Sequence, residues 1–71
     1  MSQRDTPRLP PEQAVTIARD LLADWPGTDV LAVVRKLLLD AERLRGRSPI
    51  AAANYQRLAE ALLAEAKRRA H

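Results

Sequence analysis

The chain has 71 residues, a net charge of +3 and no cysteine, and its one histidine is the last residue. A chain of this length buries only about 60% of the surface that it exposes when unfolded, so the sequence predicts one small domain with a marginal core. Without cysteine there are no disulfides or thiolate metal sites, which leaves self-association or a protein partner as the source of added stability.

Residues 1–10 are polar, contain two prolines and show no hydrophobic period. They predict a flexible polar arm ahead of a single helical domain at 11–71. Pro7 and Pro10 also match the PxxP ligand pattern, but prolines are frequent in this chain and the match is nonspecific. No apolar run approaches the ~20 residues of a membrane span, and none has the form of a signal peptide, so we expect a cytoplasmic protein.

The first helix is predicted to run over 11–25. Proline is tolerated at the first helical position, here Pro11. Pro26 ends the helix because the residue before a proline is disfavoured in the helical conformation. Apolar residues recur between these limits at three- and four-residue steps, which indicates an amphipathic helix. They are Ala14, Ile17, Ala18, Leu21, Leu22 and Trp25.

The second helix is predicted over 29–45, with Thr28 as N-cap, Asp29 in the first turn and Gly46 just past the end. Its apolar side chains cover an arc of about 160°, wider than one neighbouring helix needs. The arc therefore predicts that this is the middle helix of the fold. Its centre line is Val30, Val34, Leu37, Ala41 and Leu44, flanked by Val33 on one side and by Leu31 and Leu38 on the other.

The third helix is predicted over 49–69, with Ser48 as N-cap and Pro49 at the first position. Both connections are short, which favours antiparallel neighbours. The predicted fold is all-α, a small antiparallel three-helix bundle, and the alternative is a long helix 2–helix 3 hairpin with helix 1 docked across it. The residues expected to be most buried are Ile17, Leu21, Val34, Leu37, Leu58 and Leu62.

The sequence shows no combination of nucleophile, base and orienting group, and no glycine-rich phosphate loop. We therefore expect no enzyme activity, cofactor, metal or small-molecule substrate. The helical carboxylates are interpreted as outward-facing surface groups. They are Asp20, Asp40, Glu42, Glu60 and Glu65, with Lys36 and Asp40 at ion-pair spacing.

Two functions remain open. Leu39 projects from the polar side of the second helix, and with Ala32, Trp25 and Ile50 it forms the predicted partner-binding set. This favours a small helical protein–protein interaction module, of adaptor, regulatory or co-chaperone type, that docks on itself or on a partner and forms a homodimer. A single exposed leucine is nevertheless ordinary, and Trp25 has a second interpretation as a cap on the core.

The alternative function is a DNA-binding transcriptional regulator that uses the basic turn between helices 2 and 3. The candidate residues are Arg43, Arg45, Arg47 and Arg57, and the fold should bring the turn close to Arg4 and Arg8. Clustered guanidinium groups are typical of phosphate contacts. Against this function, several carboxylates lie at the same end, and the start of helix 3 offers few groups that read base edges.

Overall fold

The computed structural model describes residues 7–25, 27 and 29–69, and this part of the chain forms three α-helices and no strand. Helix α1 spans Pro11–Asp24, α2 spans Val30–Leu44 and α3 spans Pro49–Arg69. All six ends lie within one residue of the predicted limits. The all-α three-helix bundle is thereby confirmed.

The two later helices begin at side-chain caps. Ser48 caps α3 as predicted, since its Oγ accepts a hydrogen bond from the Ala51 amide at 3.4 Å. The prediction for α2 was wrong by one residue, because Asp29 is the N-cap and accepts from the Ala32 amide at 3.3 Å. Thr28, the predicted cap, lies outside the described residues. The Asp29 carboxylate, directly before the first turn, thus satisfies one of the free amides that Thr28 was expected to cap.

The turn after α2 does not use the left-handed conformation common in glycine caps. Gly46, just past the end of α2, does not have a positive φ. Instead the turn is closed by two backbone amides, those of Arg47 and Ser48, which donate to the Leu44 carbonyl at 3.0 and 2.7 Å. Gly46 therefore occupies a position that other residues can adopt.

The three helices run up, down and up. The short turn at 45–48 makes α2 antiparallel to α3, whereas α1 is parallel to α3, because Leu9 contacts Asn54 near one end and Arg19 pairs with Glu65 near the other. α3 packs against both other helices, but the described Cα atoms of α1 and α2 all lie more than 8 Å apart. The middle helix is thus α3, and the assignment of α2 to that place was wrong.

The core consists mostly of small side chains. On α1 the buried residues are Ala14, Ala18 and Leu22, which follow one another at single-turn spacing and face α3. Because alanines let two helices approach closely, the larger Ile17 and Leu21 lie at the edges of this contact and are only half-buried. The remaining buried apolar residues are Val34, Ala41, Ala52, Ala59 and Leu62.

Of the six residues expected to be most buried, two are confirmed, Val34 at 7% and Leu62 at 2% exposure. The prediction was wrong for Ile17 and Leu21 for the reason just given. It was also wrong for Leu37 and Leu58, which pack against the central cluster but remain half-buried. Each lies at the edge of a contact between two helices, where the third helix does not cover it.

One carboxylate lies inside the fold. Glu65 is only 7% exposed, and it pairs with Arg19 of α1 at 3.3 Å and with Arg68 one turn later at 3.5 Å. Its assignment to an outward face was wrong, because α1 passes directly over this part of α3. The predicted surface pair of Lys36 and Asp40 is present at 3.9 Å.

Candidate interaction surface on helix α2

One side of α2 carries large apolar side chains that the other described residues leave uncovered. Leu31, Leu38 and Leu39 are 63%, 41% and 59% exposed. On a helical projection Leu31 and Leu38 lie beside the buried line of Val34 and Ala41, and Leu39 lies further round the helix. The outer face of α2 is defined here as Leu31, Ala32, Arg35, Leu38, Leu39 and Glu42.

The exposure follows from a run of three leucines. Residues 37–39 are all leucine, and at 100° per residue they spread over about 200° of the helix. A single neighbouring helix covers an arc narrower than these roughly 200°. Leu37 packs against the core cluster, while Leu38 and Leu39 turn progressively away from α3. No other described element packs on this side.

Leu39 stands between two shallow clefts. The first, of about 320 Å³, lies between α2 and α3, where Leu38 and Gln56 form part of its lining. The second, of about 240 Å³, lies on α2 itself beside Ala32 and Lys36. Leu39 and Arg35 line both clefts. The outer face is therefore a ridge with a groove on each side, the shape by which helices pack together.

The charges around this ridge are unequally paired. Glu42 pairs with Arg45 at 3.3 Å, and both side chains are well exposed. Arg35 has no ion-pair partner within the described part of the chain. Arg35 and Glu42 lie seven residues apart, two turns of one helical face. The surface thus combines exposed leucines with one positive and one negative group.

Only part of the predicted partner-binding set lies on this surface. Ala32 and Leu39 line the same cleft. Ile50 is half-buried at the start of α3, in a different cleft. Trp25 is 61% exposed, and together with Leu21 and other apolar residues it lines a small cleft of about 40 Å³. The role of Trp25 in binding a partner stays a prediction.

Sequence reasoning left four members of the outer face out of the predicted partner-binding set. Leu31 and Leu38 were assigned to the edge of the apolar arc, Glu42 was interpreted as an outward-facing surface group, and Arg35 was not singled out. Periodicity alone does not separate a leucine at a covered edge from one at an uncovered edge. The run of leucines at 37–39 is the one signal that pointed to an excess of apolar surface.

The four arginines of the alternative function do not share one surface. Arg45 pairs with Glu42, Arg43 lines the second cleft beside Asp40, and Arg47 is exposed at the turn. Arg57, on α3, lines neither of the two clefts beside Leu39. It lines a cleft of about 130 Å³ together with Arg8, between the start of α3 and the segment before α1.

Asn54 holds the segment that carries Arg8. Its Oδ1 accepts a hydrogen bond from the Leu9 amide at 2.8 Å, and its Nδ2 donates to the Pro7 carbonyl at 2.7 Å. These bonds fix the backbone on both sides of Arg8 against α3. Arg8 is thereby kept beside Arg57, while Arg4 lies outside the described residues. The fold builds this arginine pair from two distant parts of the sequence.

Comparison with known proteins gave no match to a family model, a curated sequence or a solved structure. The helices of the described residues include none with the length and apolarity to cross a bilayer. Across the same residues, no three histidine, cysteine or acidic side chains are grouped as metal ligands.

Proposed function

We propose that this protein is a small helical interaction module, of adaptor or regulatory type, that docks the outer face of α2 on a helix of another protein chain. One observation carries the proposal. Leu31 and Leu39 are about 60% exposed, whereas the fully covered positions of the domain are mostly alanines. The chain thus leaves exposed on one face large apolar side chains of a kind that is in the minority among its buried residues. The proposal assigns the protein to the cytoplasm and gives it no catalytic role.

The energetics support a contact that uses the whole face. A fully buried leucine contributes roughly 1.5–3 kcal/mol, so covering the exposed parts of the three leucines contributes about 2–5 kcal/mol. Association costs at least about 4 kcal/mol in lost motion. The leucines of this chain alone barely offset that cost. A suitable partner must therefore contribute apolar surface of its own and complementary charge.

The proposal is tested by photo-crosslinking in the cells from which the chain comes. The photoreactive residue benzoylphenylalanine replaces Leu39 in one version of the full chain. In the control it replaces Gln13, which is exposed on α1. We expect specific crosslinked products, to the same chain or to another protein, from position 39 and not from position 13. Equal or absent crosslinking at the two positions, repeated at Leu38, contradicts the proposal.

A second candidate function, contact with the phosphate backbone of nucleic acid, is favoured by the pair of Arg8 and Arg57. The two arginines line one cleft, and none of the described residues that line it with them is a carboxylate. Phosphate contacts release counterions, so affinity for DNA should fall steeply with salt. Neither Arg45, which is paired with Glu42, nor the exposed Arg47 lines this cleft.

The test of this second function is a salt titration of DNA binding. Arg57→Ala should weaken binding to all sequences alike and reduce the salt slope by about one unit, the effect of losing one phosphate contact. Asn54→Ala should have a similar effect because it releases Arg8. Arg45→Ala, which removes a residue already paired with Glu42, serves as the control. If the unmodified protein does not bind DNA at low salt, this function is ruled out.

A further inference from the structure

We infer that the partner of the outer face of α2 is a second copy of this chain, docked antiparallel about a twofold axis between Leu38 and Leu39. The inference rests on the proposed function, because both use the same surface. It adds the identity of the partner, the relative direction of the two helices and their alignment.

The order of charges along the outer face selects this arrangement. Arg35 comes three residues before Leu38, and Glu42 comes three residues after Leu39. In a twofold-symmetric contact, residue i of one copy meets residue j of the other, and j meets i. Antiparallel α2 helices centred between the two leucines therefore place Arg35 opposite Glu42 of the partner subunit. This favourable pair occurs twice in the dimer.

Other alignments of the same two faces bring like charges together. Parallel helices in register place Arg35 against Arg35 of the partner subunit. An antiparallel pair centred on Arg35 would match Leu31 with Leu39 of the partner subunit, but it also sets the two Arg35 side chains against each other. Like charges facing across an interface oppose association. The charge pattern therefore discriminates between alignments that the leucines alone would allow.

The shape of the surface fits the same alignment. Leu39 forms a ridge between two clefts, and the cleft beside Leu38 is also lined by Arg35 and Glu42. In ridges-into-grooves packing the ridge of each helix enters a groove of the other. Leu39 of the partner subunit then enters the cleft beside Leu38, between the two charged groups. Each copy supplies one ridge and one groove.

Both charged groups are available for the contact. Arg35 has no ion-pair partner among the residues that the structure describes, and Glu42 and Arg45 are 65% and 60% exposed. Such exposed pairs hold their geometry weakly. An ionised carboxylate accepts several hydrogen bonds, so Glu42 can keep Arg45 and receive Arg35 of the partner subunit as well.

Sedimentation equilibrium on the full chain tests the inference. We expect the unmodified protein to dimerise at micromolar concentration. Arg35→Glu and Glu42→Arg, each alone, should weaken the dimer about tenfold or more, because each replaces two attractive pairs by two repulsive ones. An equimolar mixture of the two variants should form a heterodimer tighter than either homodimer, since all its opposed charges are then complementary.

Two further variants complete the design. Leu39→Glu should abolish the dimer, because it puts a charge at the centre of the contact. Arg57→Glu makes the same change of charge as Arg35→Glu but on α3, and it should leave the dissociation constant unchanged within about twofold. Circular dichroism verifies that each variant keeps its helix content, and all the changed positions are exposed.

The possible results separate this inference from the proposed function. A chain that stays monomeric at every concentration overturns the second-copy inference. In that case, specific crosslinking of position 39 to a different protein leaves the proposed function standing, and its absence removes both. A dimer that Leu39→Glu does not weaken, or a mixture of charge variants that does not associate more tightly, overturns the arrangement on α2.

Discussion

The contact between α1 and α3 and the outer face of α2 place their apolar residues in opposite ways. At the α1–α3 contact Ala14 and Ala18 are 1% and 0% exposed, whereas on α2 Leu31 and Leu39 are 63% and 59% exposed. These two alanines are covered and these two leucines are not, although Leu62 is buried at 2% exposure. In this fold burial depends on which helix lies alongside, and only secondarily on how apolar a side chain is.

The polar contacts of the α1–α3 region join two helices, whereas those of α2 stay within one helix. α1 and the segment before it are fastened to α3 at both ends, by Asn54 near the start and by the pair of Arg19 and Glu65 further along. The ion pairs of α2 join residues one turn apart within the helix. Such local pairs support a helix but do not dock it. The α1–α3 contact thus combines buried apolar residues with polar contacts between the two helices. The outer face of α2 has exposed apolar residues and no polar contact to another described helix.

The largest difference in stability is expected between two leucine-to-alanine substitutions, one in the core and one on the outer face of α2. Leu62→Ala should lower the free energy of unfolding by about 2–5 kcal/mol, because Leu62 is 2% exposed at the centre of the core cluster. Leu31→Ala on the outer face should change it by less than about 0.5 kcal/mol. Urea unfolding followed by circular dichroism measures both. Equal losses would mean that Leu31 is covered in solution.

A smaller effect is expected from enlarging an alanine at the α1–α3 contact. Ala18→Leu should destabilise the protein by about 1–3 kcal/mol, because Ala18 is fully covered and a larger side chain pushes the two helices apart. Ala23→Leu makes the same change at an exposed position of the same helix and serves as the control. If Ala18→Leu were tolerated as well as its control, α1 would not lie close to α3 at this position.

The buried carboxylate of Glu65 should contribute less to the free energy of unfolding than the two apolar contacts above. Glu65→Ala removes the group that joins Arg19 to Arg68, and we expect a loss of about 1–2 kcal/mol, since both arginines are more than half exposed and regain water. The control is Glu60→Ala, because Glu60 is exposed on the same helix. Thermal unfolding of both variants at low and high salt measures the difference. A loss no greater than that of the control would place Glu65 among ordinary surface groups.

The smallest effect concerns the turn that joins α2 to α3. Gly46→Ala should stabilise the protein by about 0.4–1 kcal/mol, because an added Cβ meets nothing within 4 Å, φ is not positive, and alanine restricts the unfolded chain. Unfolding of the two proteins under identical conditions measures it. Destabilisation of similar size would instead indicate a left-handed glycine at the end of α2.

The limits of the helices were predictable because the signals that set them are local. Pro11 and the pair Ser48-Pro49 act within one turn of a helix end. Even the error at the start of α2, where Asp29 rather than Thr28 is the cap, is a choice between two adjacent residues of suitable chemistry. The exposure of Ala32 and Leu39 was likewise predictable from their places on the helix, since they lie away from the main apolar line.

The middle helix was not predictable from the same patterns. A wide apolar arc shows how much of α2 is apolar, but it does not show how much of it another helix covers. The arc was read as evidence of two neighbours, whereas α2 has one close neighbour, α3, and the surplus leucines remain exposed. For the same reason Leu38 was placed at the edge of the core and Glu65 on the surface.

The sequence by itself determined three amphipathic helices, their limits to within one residue and their up-down-up order, because these depend on periodicity, short connections and residues within one turn of each other. Only the tertiary structure decided that α3 is central, that alanines occupy the α1–α3 contact, that Glu65 is buried and that Arg8 lies beside Arg57. Each of these depends on how closely and at which rotation two helices approach. That is a property of side-chain shapes on both partners, and no single helical pattern contains it.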